Sequence, residues 1–180
     1  STFIQNVHAV VRYAMEKSDE PLVEHVVVFD EAQRAWNSAQ NSKKTGHEVS
    51  EPQIVLSILD RHPDWAVLVA LVGGGQEIHD GEAGLAEWGR TLQKGFPHWH
   101  VAASPSVLKG DTSIAGHRLF EDANSGSVTV QLEPALHLEV CLRSFRAQRV
   151  SEWVEAMLGV KPKRAADIIA DIAEFPIVFT

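Results

Sequence analysis

Apolar and polar positions follow two rhythms along this chain. In one, apolar residues recur three or four apart, as on a helix with a single buried face. In the other they form short unbroken runs, as in strands of a parallel sheet covered on both sides. Ile4, Val7, His8, Val11, Ala14 and Met15 keep the first rhythm and predict a helix over residues 4–17, broken by Asp19-Glu20-Pro21. Ile54, Val55, Ile58 and Leu59 predict another, with Ser50 as its N-cap and His62-Pro63 as its stop. Leu85, Trp88 and Leu92 lie on one face of a third, with Gly95 placed to cap its end. Val150, Trp153, Val154, Met157 and Leu158 mark a fourth, stopped by Gly159. Ala165, Ile168, Ile169 and Ile172 mark a fifth, opened by Pro162.

The unbroken runs predict strands at Val26–Phe29, at residues 65–72, at 99–103 and at 136–142, with a last one beginning at 175–180. Val128-Thr129-Val130-Gln131-Leu132 alternates and reads as an edge or exposed strand. Residues 37–46, Asn-Ser-Ala-Gln-Asn-Ser-Lys-Lys-Thr-Gly, are too polar to pack and read as a mobile loop whose lysines face solvent. Strands alternating with helices point to βαβ units, hence an α/β fold with a mostly parallel sheet.

Composition narrows the function classes. With 44% hydrophobic and 22% charged residues among 180, the chain is an ordinary globular one with enough length for one good core. A single cysteine, Cys141, rules out an intrachain disulfide framework and favours a reducing cytoplasmic setting. No run approaches the ~20 apolar residues of a membrane span. A net charge of −8 argues against broad electrostatic attraction to nucleic acid and leaves a local basic patch open.

The run Val26–Phe29 leads straight into Asp30-Glu31. Ligands of open α/β sheets bind at the carboxyl ends of the strands, which puts both carboxylates at a candidate site. Such a pair suits phosphoryl transfer, one carboxylate holding Mg²⁺ and its neighbour activating water. The alternative is a pair that merely caps the next turn. Gln76 follows a second strand after Gly73-Gly74-Gly75, and Arg143 follows another, so both are predicted to reach the same edge. Other polar groups have plainer readings. His98 and His100 lack a third metal ligand at a convincing spacing, His79-Asp80 shapes the Gln76 loop, the five tryptophans serve packing, and Cys141 is a buried thiol.

Val26-Val27-Val28-Phe29-Asp30-Glu31-Ala32-Gln33-Arg34-Ala35-Trp36 resembles the Walker B segment of bacterial DNA/RNA helicase-like P-loop proteins related to the Schlafen helicase region. Gly73-Gly74-Gly75-Gln76-Glu77-Ile78-His79-Asp80-Gly81-Glu82 resembles that family's next signature, motif III of superfamily-one helicases. Leu138-Glu139-Val140-Cys141-Leu142-Arg143-Ser144 resembles motif IV, departing from Leu-x-x-Asn-Tyr-Arg-Ser at Cys141 and Leu142. The resemblance implies a three-layer RecA-like P-loop NTPase fold. By it, Asp30 is a Mg²⁺ ligand, Glu31 the water-activating and metal-side carboxylate, Gln33 and Gln76 γ-phosphate sensors, and Arg143 a transition-state charge stabiliser.

The same resemblance exposes a gap. No Gly-x-x-x-x-Gly-Lys-Ser/Thr occurs, and only 29 residues precede Asp30. The chain is therefore expected to be an excised piece, incomplete at its N-terminus. Residues 1–146 would be the later part of a first RecA-like domain, and 147–180 connecting helices with the start of a second. The expected function is ATP hydrolysis with Mg²⁺ in a full-length protein acting on DNA or RNA, with the piece alone inactive and requiring no cofactor. The other expectation is a non-catalytic RecA-like interaction module. Expected partners are nucleic acid and the missing parts of the chain, with a non-native dimer through exposed sheet edges, and no membrane.

Overall fold

The computed structural model describes residues 7–17, 20–46, 48–73, 84–110, 114, 117–121, 125–138 and 148–170. The chain divides into two compact units, Ser1–His137 and Leu138–Thr180. The first holds helices α1 (Val7–Glu16), α2 (Ser38–Thr45), α3 (Glu51–Leu59), α4 (Gly84–Gly95) and α5 (Pro105–Lys109), with strands β1 (Val26–Phe29), β2 (Val67–Ala70), β3 (His100–Ala103) and β4 (Thr129–Leu132). The second holds α6 (Gln148–Leu158) and α7 (Pro162–Ala170).

The fold is mixed α/β, and every described strand pair is parallel. β1 pairs with β2 from Val26 opposite Val67 to Phe29 opposite Ala70, and β3 pairs with β4 from His100 opposite Thr129 to Ala103 opposite Leu132. They form two separate two-stranded sheets. β4 is the alternating strand, as its pattern predicts.

The β1–β2 pair departs from the sequence reading. Unbroken apolar runs predict two covered faces, yet Val26 is 50% and Val28 60% exposed, with Val67, Val69 and Leu71 exposed as well. Phe29, Leu68 and Val72 face the other way and pack against a core of Ala32, Ala35, Leu56, Trp88, Leu92, Phe96, Leu119, Phe120 and Val128. Composition marks what a strand can bury, and only the neighbouring layers decide whether both faces are covered.

Residues 37–46 also differ from expectation, since most of them form α2 instead of a loop. The Asn37 side chain accepts from the Gln40 N–H at 2.9 Å, closing the first turn. At the other end Gly46 takes φ 82° and donates its N–H to the Ser42 carbonyl. Lys43 and Lys44 lie in the last turn, where positive charge suits the helix dipole. Asn41 is fully buried and donates to the Val49 carbonyl at 2.7 Å, so a polar residue supplies the packing that apolar ones ordinarily provide.

α3 matches its prediction closely. The Ser50 hydroxyl accepts from the Gln53 N–H, Pro52 lies in the first turn, and Ile54 and Ile58 pack with Val10, Leu22 and Val49. α4 buries Leu85, Trp88 and Leu92 as predicted. Residues 136–138 are not core. Pro134–Leu136 make a 3-10 turn, and Leu136 and Leu138 are exposed. Residues 139–147 and 171–180 lie outside the described residues. In the second unit Ala156, Ala165, Ile168 and Trp153 pack together, while Val154, Met157 and Leu158, expected on the same stripe, are exposed. No helix among the described residues is long and apolar enough to cross a membrane.

Candidate functional site at the carboxyl edge of the first sheet

In-register pairing brings the ends of β1 and β2 to one level, so Asp30-Glu31 and Leu71–Gly73 leave the sheet side by side. Backbone bonds extend the ladder past the strands: the Leu71 N–H donates to the Phe29 carbonyl at 2.9 Å, and the Ala32 N–H to the Leu71 carbonyl at 2.8 Å. The chain after β1 then turns through a 3-10 helix, Ala32–Arg34.

Asp30 is exposed and accepts from the Glu31 N–H at 3.0 Å, which fixes the turn and keeps the rest of its carboxylate toward solvent. Glu31 has φ 51° and ψ 45°, the left-handed conformation that a residue with a Cβ seldom adopts. Such a backbone costs about 1–3 kcal/mol and persists only where its surroundings impose it. Those surroundings are visible. The Ala32 carbonyl accepts from the Trp88 indole N–H at 2.7 Å, and the Trp88 ring meets Phe29 edge-on at 5.4 Å. The Trp36 N–H donates to the Glu51 carboxylate at 2.7 Å, while the Glu51 N–H donates to the Trp36 carbonyl at 3.0 Å. The 30–36 segment is thus pinned to α4, to α3 and to the exit of β2.

Gln33 makes the third of those attachments. Its side chain is 4% exposed, and both ends of the amide are engaged. The nitrogen donates to the Glu31 carboxylate in a very short hydrogen bond, and the oxygen accepts from the Gly73 N–H at 3.1 Å. A Cβ added at Gly73 would lie 3.7 Å from the Glu31 carboxylate oxygen and 3.8 Å from the Gln33 nitrogen, so the backbone there passes within contact distance of the pair. Sequence reasoning names Gln33 but not this engagement, because Gly73 is forty residues away.

Of the residues predicted for the site, Asp30, Glu31 and Gln33 are brought together at one sheet edge. Gln76 and Arg143 lie outside the described residues, as do His79, Asp80 and Cys141. The remaining polar candidates take local partners. His98 donates to Asp60 at 2.7 Å, and Trp99 donates to the same oxygen at 2.8 Å. Trp88 is core, whereas Trp65 is 54% exposed and lies against His25.

No curated protein and no solved structure matches the chain. A match covering residues 1–180 is to the family described as Schlafen group 3, DNA/RNA helicase domain. Since that match spans the whole chain, the protein belongs to the Schlafen group 3 DNA/RNA helicase domain family.

Proposed function

We propose that Asp30 and Glu31 are the Walker B end of a RecA-like ATP site in a helicase-like protein that acts on DNA or RNA. Asp30 holds Mg²⁺, and Glu31 orients and deprotonates the attacking water. Gln76 and Arg143 contribute the γ-phosphate contacts that the motif resemblance implies. No Gly-x-x-x-x-Gly-Lys-Ser/Thr occurs among these 180 residues, so the reading assigns none of them to a phosphate-cradling loop.

The observation that carries this reading is the backbone of Glu31. A left-handed, non-glycine residue in a segment tied to α3, α4 and the exit of β2, at the carboxyl edge of a parallel pair, suits a fixed general base, and its side chain makes no capping hydrogen bond. Gln33 then acts as a positioning residue. Its amide keeps one Glu31 oxygen in place and ties it to the exit of β2, three residues before Gln76.

The test is Glu31→Gln in the full-length protein. ATP binding is expected to persist while nucleic-acid-stimulated hydrolysis falls by about 10²-fold or more, the contribution typical of a general base. Equal loss of binding and turnover would refute Glu31 as the base. Absence of both in the unaltered protein would favour the non-catalytic RecA-like module.

A further inference from the structure

Two imidazoles and a carboxylate meet at the opposite edge of the same sheet. His25 immediately precedes β1, and His62 and Asp64 lie in the turn between α3 and β2. One ligand atom from each lies within 4.8 Å of the other two, the one such group of three found among the described residues. β1 and β2, each about 13 Å long at ~3.3 Å per residue, separate this cluster from Asp30 and Glu31.

The cluster is built by the fold and does not depend on chance side-chain positions. The His25 carbonyl accepts from the Val67 N–H at 2.8 Å as the first rung below the ladder. Its imidazole Nδ1–H donates to the Trp65 carbonyl at 2.7 Å and lies 3.8 Å from the Asp64 carboxylate, which leaves Nε2 as the lone-pair nitrogen. A metal-binding histidine is commonly oriented by such a bond from its other nitrogen to a backbone carbonyl. His62 follows α3 directly, its N–H donating to the Leu59 carbonyl at 3.2 Å, and its ring lies 4.1 Å from that of His25. Asp64 is exposed, and its carboxylate accepts from the Trp65 N–H at 2.8 Å.

His62 supplies the decisive observation. Its Nε2 is buried and has no hydrogen-bond partner among the described residues. A buried, unsatisfied ring nitrogen is unfavourable unless something else binds it. Beside a second imidazole and a carboxylate, a cation that accepts nitrogen lone pairs meets that need.

We propose that His25, His62 and Asp64 form a binding site for a divalent transition-metal ion, with Zn²⁺ as the representative ligand. Two imidazoles and one carboxylate suit Zn²⁺ and its neighbours in the first transition row, whereas Mg²⁺ and Ca²⁺ favour all-oxygen sets. Ligand bonds of about 2.0–2.2 Å put tetrahedral donor atoms roughly 3.3 Å apart. The widest pair in the cluster therefore closes by up to about 1.5 Å on binding. Water fills the remaining coordination. The ion clips the segment leading into β1 to the turn leading into β2, and it is separate from any Mg²⁺ at Asp30.

The test is Zn²⁺ titration of the metal-stripped full chain at pH 7.5 by calorimetry, with Co²⁺ absorption reporting the ligand set. The expected result is one Zn²⁺ per chain, a rise in unfolding temperature on binding, and affinity reduced at least tenfold in His25→Ala and in His62→Gln. His98→Ala serves as control and keeps the affinity, and Mg²⁺ does not compete. Unfolding curves in chelator establish that each variant is folded. Lack of saturable binding at 100 µM, or affinity retained in both folded variants, would overturn the proposal.

Discussion

Gln33 offers the sharpest test of how the Asp30–Glu31 turn is held. Its amide is buried between the Glu31 carboxylate and the Gly73 N–H. Gln33→Met keeps the length of the side chain and removes both hydrogen bonds. The bond to the carboxylate contributes about 1.5–3 kcal/mol and the neutral one about 1, so a loss of roughly 2–4 kcal/mol is expected. Gln33→Glu is more informative. It preserves the acceptor for Gly73 but faces one carboxylate with another. Adding Glu31→Gln restores the donor–acceptor pair with the roles exchanged, because the amide introduced by that second change can donate to the carboxylate introduced by the first. Urea unfolding followed by tryptophan fluorescence gives the stability of each variant and of the unaltered protein. The double variant is expected to recover at least about 1 kcal/mol relative to the sum of the single effects, the size of coupling typical of directly contacting residues. Additivity within about 0.5 kcal/mol would show that the two side chains do not interact, and the positioning role of Gln33 would fall with it.

Three further outcomes are expected. In Gly89→Ala the new Cβ would lie 1.8 Å from the Leu119 carbonyl oxygen, so α4 and the 119–120 backbone must separate by about 1.6 Å. A cost near 3 kcal/mol, read as a fall of roughly 10 °C in Tm, follows, and an unchanged Tm would contradict the packing described. Val160 is exposed at φ 52° just past α6, so Val160→Gly relieves left-handed strain and stabilises the α6–α7 unit by about 1 kcal/mol in chemical unfolding. The Glu20 carboxylate, through its hydrogen bond and then its charge, holds the Lys17 ammonium above its ordinary 10.5. Its stabilising effect is complete below pH 10.5 and is lost as pH rises through the higher native value. NMR titration of Lys17 is expected to return to the ordinary range in Glu20→Gln.

What can be read from the sequence is mostly local. The helices α1, α3, α4, α6 and α7 follow from apolar spacing, and in α3 and α4 that spacing also marks the buried face, whereas in α6 part of the expected stripe is exposed. The caps at Ser50 and Pro162 work the same way. α2 escapes such a reading because its stability comes from the Asn37 and Gly46 caps and from the buried amide of Asn41, features that an apolar pattern does not register. Residues 136–138 show the reverse error, an apolar run that the fold leaves exposed.

The candidate site divides along the same line. Asp30 and Glu31 are legible because an apolar strand ending in carboxylates is a local signal. The left-handed backbone of Glu31 and the Gln33 bridge to Gly73 are not local, since both depend on β2 lying in register beside β1. The same pairing gathers His25, His62 and Asp64 at the other edge, although 36 residues separate the two histidines. Sequence alone determined most of the elements and marked the carboxylates at the end of β1, because periodicity and capping act within a few residues. Tertiary structure decided which faces are covered and which side chains meet, because register between distant strands sets those contacts.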